Sequence, residues 1–237
     1  MTDEIQSMFT IYHHPFSAAS RFIRLMCAEY GIQADYIVEK PWERRDEFML
    51  LNPAGTLPVA IENDGPALCG AMPIMEYIDE TRGFMLGDRT LMPSHPEARA
   101  EVRRIIEWFL VKCDAEAVGY FVNEKLSKLE MPRDQGGGEP DSGILRVART
   151  NMRHHMKYLG YLVATRDWIA GSRMTSADLA AAASLSCADY LGEVPWDEDE
   201  HVRNWYSRIK SRPSFRPLLS EKVLAMPPSP VYADLDF

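Results

Sequence analysis

At 237 residues, 46% hydrophobic and 26% charged, the chain carries enough apolar side chain for one large core or two modest ones. A net charge of −9 excludes nucleic acid as the main partner, and the lack of any apolar run of spanning length excludes direct membrane insertion. The polar start, Met1 to Ser7, has no signal-peptide core, and Met8 reads as an alternative natural start, so a cytoplasmic protein is expected.

Phe9 to His13 is an apolar-aromatic run that reads as a first strand. Ser17 to Tyr30 follows with Phe22, Ile23, Met26, Cys27 and Tyr30 at helical spacing, and Gly31 ends it in the C-cap manner. Ala34 to Val38 reads as strand two and Leu57 to Ile61 as strand three. Asn63-Asp64-Gly65 is a hairpin signal, so a fourth strand at Pro66 to Leu68 should pair antiparallel with the third. Pro73 to Thr81 reads as the third helix of a β-α-β-α-β-β-α order, which is that of a thioredoxin-like domain.

From Ser94, an N-cap candidate, the pattern becomes helical. Val102, Ile105, Ile106, Phe109, Leu110, Cys113, Ala117 and Phe121 trace one face of a long helix. Met131 to Pro140 is a loop by composition. A second long helix turns Ile144, Ala148, Met152, His155, Met156, Leu159 and Leu162 inward. Thr175-Ser176-Ala177-Asp178 is a capping box ahead of an alanine-rich helix. Three units are expected: a thioredoxin-like domain over 8–86, an all-helical domain over 94–220, and a Pro-rich, acidic-aromatic tail over 221–237.

Cys27, Cys69, Cys113 and Cys187 are scattered without ligand spacing, which reads as reduced core thiols and no metal site. Arg99, Arg103 and Arg104, and Arg146, Arg149 and Arg153, recur at helical steps. They read as solvated faces with intrahelical ion pairs, or as a docking strip for an acidic partner.

Three separated motifs carry a family resemblance: Asn52-Pro53-Ala54-Gly55-Thr56-Leu57-Pro58, the capping box at Thr175 to Asp178, and the closing helix His201 to Arg212 with Pro213. Together they resemble the glutathione transferase family over about residues 9 to 218. The resemblance implies an α/β thioredoxin-like N-terminal domain followed by an all-α C-terminal domain, with a cis bond before Pro58. It also implies a ligand groove at Ser17, Leu57, Pro58, Gly70 and Ala71. Family enzymes activate the thiol of glutathione with a residue at the place of Ser17, whose hydroxyl would stabilise a thiolate at a helix N-terminus. An ordinary N-cap would look the same, with Ser20 as the alternative cap.

In the family, an acidic or amide residue and a serine open the third helix and hold the γ-glutamyl carboxylate. Those positions are Gly70 and Ala71 here. Each lost hydrogen bond to a charged group costs about 1.5–3 kcal/mol. Glutathione binding is therefore expected to be weak or absent, with no other cofactor and no catalytic residue beyond a vestigial Ser17.

Trp42, with Arg44 and Arg45, has the composition of a protein-binding hot spot beside that groove; packing within the domain or in a homodimer seam is the alternative. In the tail, Tyr232, Asp234, Leu235, Asp236 and Phe237 alternate apolar and acidic groups after an extended Pro-rich run. They read as a docking motif, or as residues packed back on the parent domain. The missing clamp and this tail resemble a non-catalytic branch of the family serving bacterial division. That implies a homodimeric adaptor at midcell, binding the FtsZ polymer and linking it through the tail to the septal wall synthesis machinery. Two other readings stay open: an active transferase or thiol-dependent isomerase using Ser17, and a binding module for a hydrophobic small molecule.

Overall fold

Buried and half-buried side chains alternate along β1 (Phe9–His13), setting Phe9, Ile11 and His13 into the core. The computed structural model describes residues 8–223 and 226–235. Strand β2 (Ala34–Val38) runs parallel to β1, from Phe9 opposite Ala34 to His13 opposite Val38, joined by the crossover helix α1 (Ala18–Glu29). After α2 (Asp46–Leu51), β3 (Val59–Glu62) pairs antiparallel with β1 and β4 (Leu68–Cys69) with β3, giving the order β2-β1-β3-β4. Asn63, at φ 51°, makes the hairpin turn, and α3 (Ala71–Arg82) closes the thioredoxin-like unit.

The ends of these elements differ from the sequence reading for backbone reasons. Leu57 and Pro58 precede β3, and Pro66 lies outside β4, because proline has no N–H to give a ladder. Ser94 is not a cap: helix α4 (Pro96–Glu107) has His95 at its N-cap and proline in its first turn.

Beyond Glu107 the helix continues without a break, but with wide i→i+5 turns over Trp108–Val118 and again over Asn123–Ser127. The apolar stripe explains the widening. From Phe109 through Cys113 and Ala117 to Phe121 it repeats every four residues, and all four are buried. On a regular α-helix a four-residue step drifts by about 40°. Wide turns keep the stripe on one side.

The 131–140 loop is confirmed. Its glycines have a physical reason, since a side chain on Gly137 would collide with the Met131 carbonyl. Helix α5 (Ser142–Thr165) is capped by Asp141, which accepts from the N–H groups of Gly143 at 2.7 Å and Ile144 at 3.2 Å. Leu145 takes the inward position expected of Ile144, which is half-buried. In α6 (Ser176–Tyr190) every residue is buried, with the Thr175–Asp178 box at its start, and α1 packs against it. Helix α7 (Glu200–Lys210) lies against α5 and α6. No helix among the described residues is long and apolar enough to cross a membrane.

The four cysteines are free thiols, three of them buried. The arginine stripes form ion pairs mostly between elements rather than within a helix. Arg99 reaches Glu76 and Asp79, Arg103 reaches Glu76, Arg149 reaches Glu193 and Arg153 reaches Glu198; Arg104–Glu101 is the intrahelical exception.

Candidate partner-binding site

Between the sheet domain and the wide-turned helix lies an open cleft of about 460 Å³. Its floor is the loop that turns β1 into α1, with His14, Phe16 and Ser17. One wall is Trp42 with Gly55, Thr56 and Leu57, and the other is Leu110, Asp114, Val122, Asn123 and Ser127. Ser17 is the N-cap of α1, its Oγ accepting from the Ser20 N–H at 3.2 Å. Ser20 is no rival cap: its own hydroxyl accepts from the His14 N–H at 3.4 Å. His14 Nδ1 accepts from the Phe16 N–H at 3.3 Å, and burial holds its pKa below the usual histidine range.

The groove residues read from the sequence are only partly gathered. Ser17 and Leu57 line the cleft, whereas Pro58 is buried behind it and Gly70 and Ala71 are not among its lining. The Leu57–Pro58 bond is cis. Gly70 caps α3 with no side chain, and its N–H is engaged by the Pro58 carbonyl at 2.9 Å. Ala71 offers no hydroxyl, and Pro73, at the third helical position, removes one of the helix-start donors that would hold a carboxylate.

Trp42 sits in a single turn, Pro41–Glu43, half-buried at the cleft rim. Its ring meets His14 edge-on at 5.6 Å and carries the Lys40 ammonium at 5.8 Å. Arg44 is exposed. Arg45 is tethered by a forked bond to the buried Glu39, with Nη2 to Oε2 at 2.9 Å.

The tail differs from the expected docking motif at Tyr232, which is fully buried. Its ring packs edge-on against Tyr190 at 5.0 Å. Its hydroxyl donates to the Leu218 carbonyl at 2.9 Å and accepts from Arg21 Nη1 at 3.2 Å. Ser229 and Lys210 fasten the segment further, to the Asp189 and Val231 carbonyls. An aromatic ring with a waiting donor and acceptor gains more from this pocket than from water, so Tyr232 is an internal anchor. Asp234 and Leu235 are exposed beyond it; Asp236 and Phe237 lie outside the described residues.

Two residues escaped the sequence reading. Arg21 is entirely buried inside α1, its Nε donating to the Pro15 carbonyl at 2.6 Å and its Nη1 to Ser186 Oγ at 2.8 Å. Asp114 faces the cleft one place after the inward Cys113, and burial pushes its pKa up to about 6. Gly119 leaves room for it: a side chain there would press on the Asp114 carbonyl and carboxylate. The one sequence signal was an acid adjoining the apolar stripe.

Residues 16–81 match the glutathione S-transferase N-terminal domain family and residues 141–213 the C-terminal domain family. FtsZ-localized protein A of Caulobacter vibrioides is 39% identical, over 96% of this chain and 98% of that one. A crystal structure of a glutathione S-transferase from Sinorhizobium meliloti 1021 is 55% identical with a TM-score of 0.95, over 98% of this chain and all of that one. The structure of FzlA from C. crescentus superposes with a TM-score of 0.88, over 97% of this chain and all of that one, at 39% identity.

Proposed function

The chain belongs to the glutathione S-transferase family, and from that membership we propose that it is a non-catalytic adaptor that binds and organises FtsZ filaments in bacterial cell division. The observation that carries this reading is the nearly full-length likeness to FtsZ-localized protein A. The site supports it chemically: glutathione has lost its carboxylate clamp at Gly70 and Ala71, while an open cleft rimmed by Trp42 persists. The partner surface is this rim with Arg44 and Arg45, and the place of action is the cytoplasm at midcell. A homodimer would be bivalent, so weak contacts to a polymer gain through effective concentration. The link to septal wall synthesis runs through Asp234 and Leu235, exposed at the end of the anchored tail.

One observation favours a second reading, an active glutathione transferase or thiol-dependent isomerase: Ser17 lines the cleft at the helix start, where a thiolate would be stabilised. Co-sedimentation with polymerised FtsZ, run beside a glutathione-conjugation assay, separates the two. The adaptor pellets with FtsZ, loses at least tenfold in affinity as Trp42→Glu, and gives background conjugation. Firm retention on glutathione resin, with turnover lost in Ser17→Ala, overturns it. Asp234→Lys is expected to leave filament binding intact and disturb division.

A further inference from the structure

We propose that the cleft takes a lysine or arginine side chain, presented by an extended segment of the protein partner, with Asp114 as its counter-ion. The proposal rests on the adaptor reading and names the chemistry by which that same cleft would recognise its partner.

Among the residues that line the cleft, Asp114 is the sole carboxylate, no lysine or arginine joins it, and His14 is held neutral by burial. The Asp114 carboxylate has no hydrogen-bond or ion-pair partner among the described residues, and burial alone accounts for its raised pKa. Elsewhere in the fold half-buried acids are matched: Glu29 meets Arg212, Glu76 meets Arg99 and Arg103, and Glu101 meets Arg104 and Arg166. A carboxylate partly withdrawn from water without a partner carries a cost that a ligand cation would relieve. The missing group is a cation.

Shape supports the same class. Phe16, Trp42, Leu110 and Val122 provide apolar and aromatic surface on the way to Asp114. A long basic side chain lays its methylene stem on such surface and carries its charge to the acid at the end. The Trp42 ring already accepts one cation, Lys40, at its edge of the cleft. A volume of about 460 Å³ exceeds one side chain and leaves room for flanking backbone along Gly55, Thr56 and Leu57, whose chain forms the opposite rim.

The test uses the full chain and two amino-acid amides of nearly the same shape, Nα-acetyl-L-arginine amide and the uncharged Nα-acetyl-L-citrulline amide. Binding is followed by the shift of the Trp42 indole N–H resonance. Arginine amide should bind at least tenfold more tightly than citrulline amide, and Asp114→Asn should abolish the difference while leaving citrulline amide unchanged. Equal binding of the two amides, or a preference that persists in Asp114→Asn, overturns the proposal. Co-sedimentation with FtsZ polymers is run in parallel. If wild type and Asp114→Asn pellet alike, the counter-ion role fails and the adaptor reading stands. If neither pellets, the adaptor reading fails and the partner assignment falls with it, while the amide titration still decides the cation site.

Discussion

Nη1 of Arg21 lies 3.2 Å from the hydroxyl of Tyr232, so the end of the described chain is fastened to the helix that starts at the cleft. The same guanidinium donates through Nε to the Pro15 carbonyl, in the loop that forms the cleft floor. Tyr232→Phe removes both hydroxyl bonds and leaves the Leu218 carbonyl without that donor. A loss of about 1–3 kcal/mol is expected, read as a lower urea midpoint at unchanged slope.

Arg21→Met should cost more, because it deletes bonds to Pro15, Ser186, Tyr232 and Glu221 at a buried position. Breaking a buried charged network by one partner is typically worth about 3–5 kcal/mol. Combined with Tyr232→Phe, the loss should fall short of the sum, since the two changes share one bond. Strict additivity in urea titrations would show that the Arg21–Tyr232 bond contributes nothing.

These two residues also mark where sequence reasoning stopped. Strands β1 and β2 were legible to the residue, because short apolar runs bounded by a helix cap and a turn leave little choice of register. Arg21 was visible as a basic residue in a helix, but its partners lie 165, 200 and 211 residues away along the chain. No local pattern encodes them. Tyr232 read as a docking motif because its neighbours alternate apolar and acidic, and only the pocket formed by Tyr190, Leu218 and Arg21 turns it inward. Asp114 was hidden by helix geometry, since the widened turns after Glu107 decide which residues face the cleft. That no hydroxyl or carboxylate stands at Gly70 and Ala71, where α3 opens, needed no coordinates.

Glu29, in the last turn of α1, accepts from Arg212 Nε and Nη2 at 2.7 Å each and from the Ser214 hydroxyl. Burial works against its charge, yet Arg212 and Ser214 prevail and hold its pKa below the ordinary 4.5. A carboxylate lowered in the fold adds stability above its unfolded pKa, and that stability is lost as pH falls through the folded value. Glu29→Gln should therefore destabilise the protein by about 1–2 kcal/mol at pH 7. Once the carboxylate is protonated, well below pH 4.5, the variant's thermal midpoint should converge with that of the wild type. A gap that stays constant down to acid pH would assign the loss to packing.

Asp114 has the opposite sign. Its pKa of about 6 lies above the ordinary 3.8, so the folded chain holds this proton more tightly than the unfolded one. The stability linked to it is complete below pH 4 and is lost as pH rises through about 6. The nearby Cys113 and Cys187 thiols are themselves raised by burial and stay neutral over this range. The span from 3.8 to about 6 corresponds to roughly 3 kcal/mol above pH 7. Asparagine keeps the shape and cannot ionise, so Asp114→Asn should melt with the wild type at pH 4 and several degrees above it at pH 8. A variant more stable and yet poorer at holding a cation is the signature of an acid kept for a ligand. Melting curves that run parallel from pH 4 to pH 8 would mean that the Asp114 carboxylate is solvated in the free protein, with no electrostatic cost left for a cation to relieve.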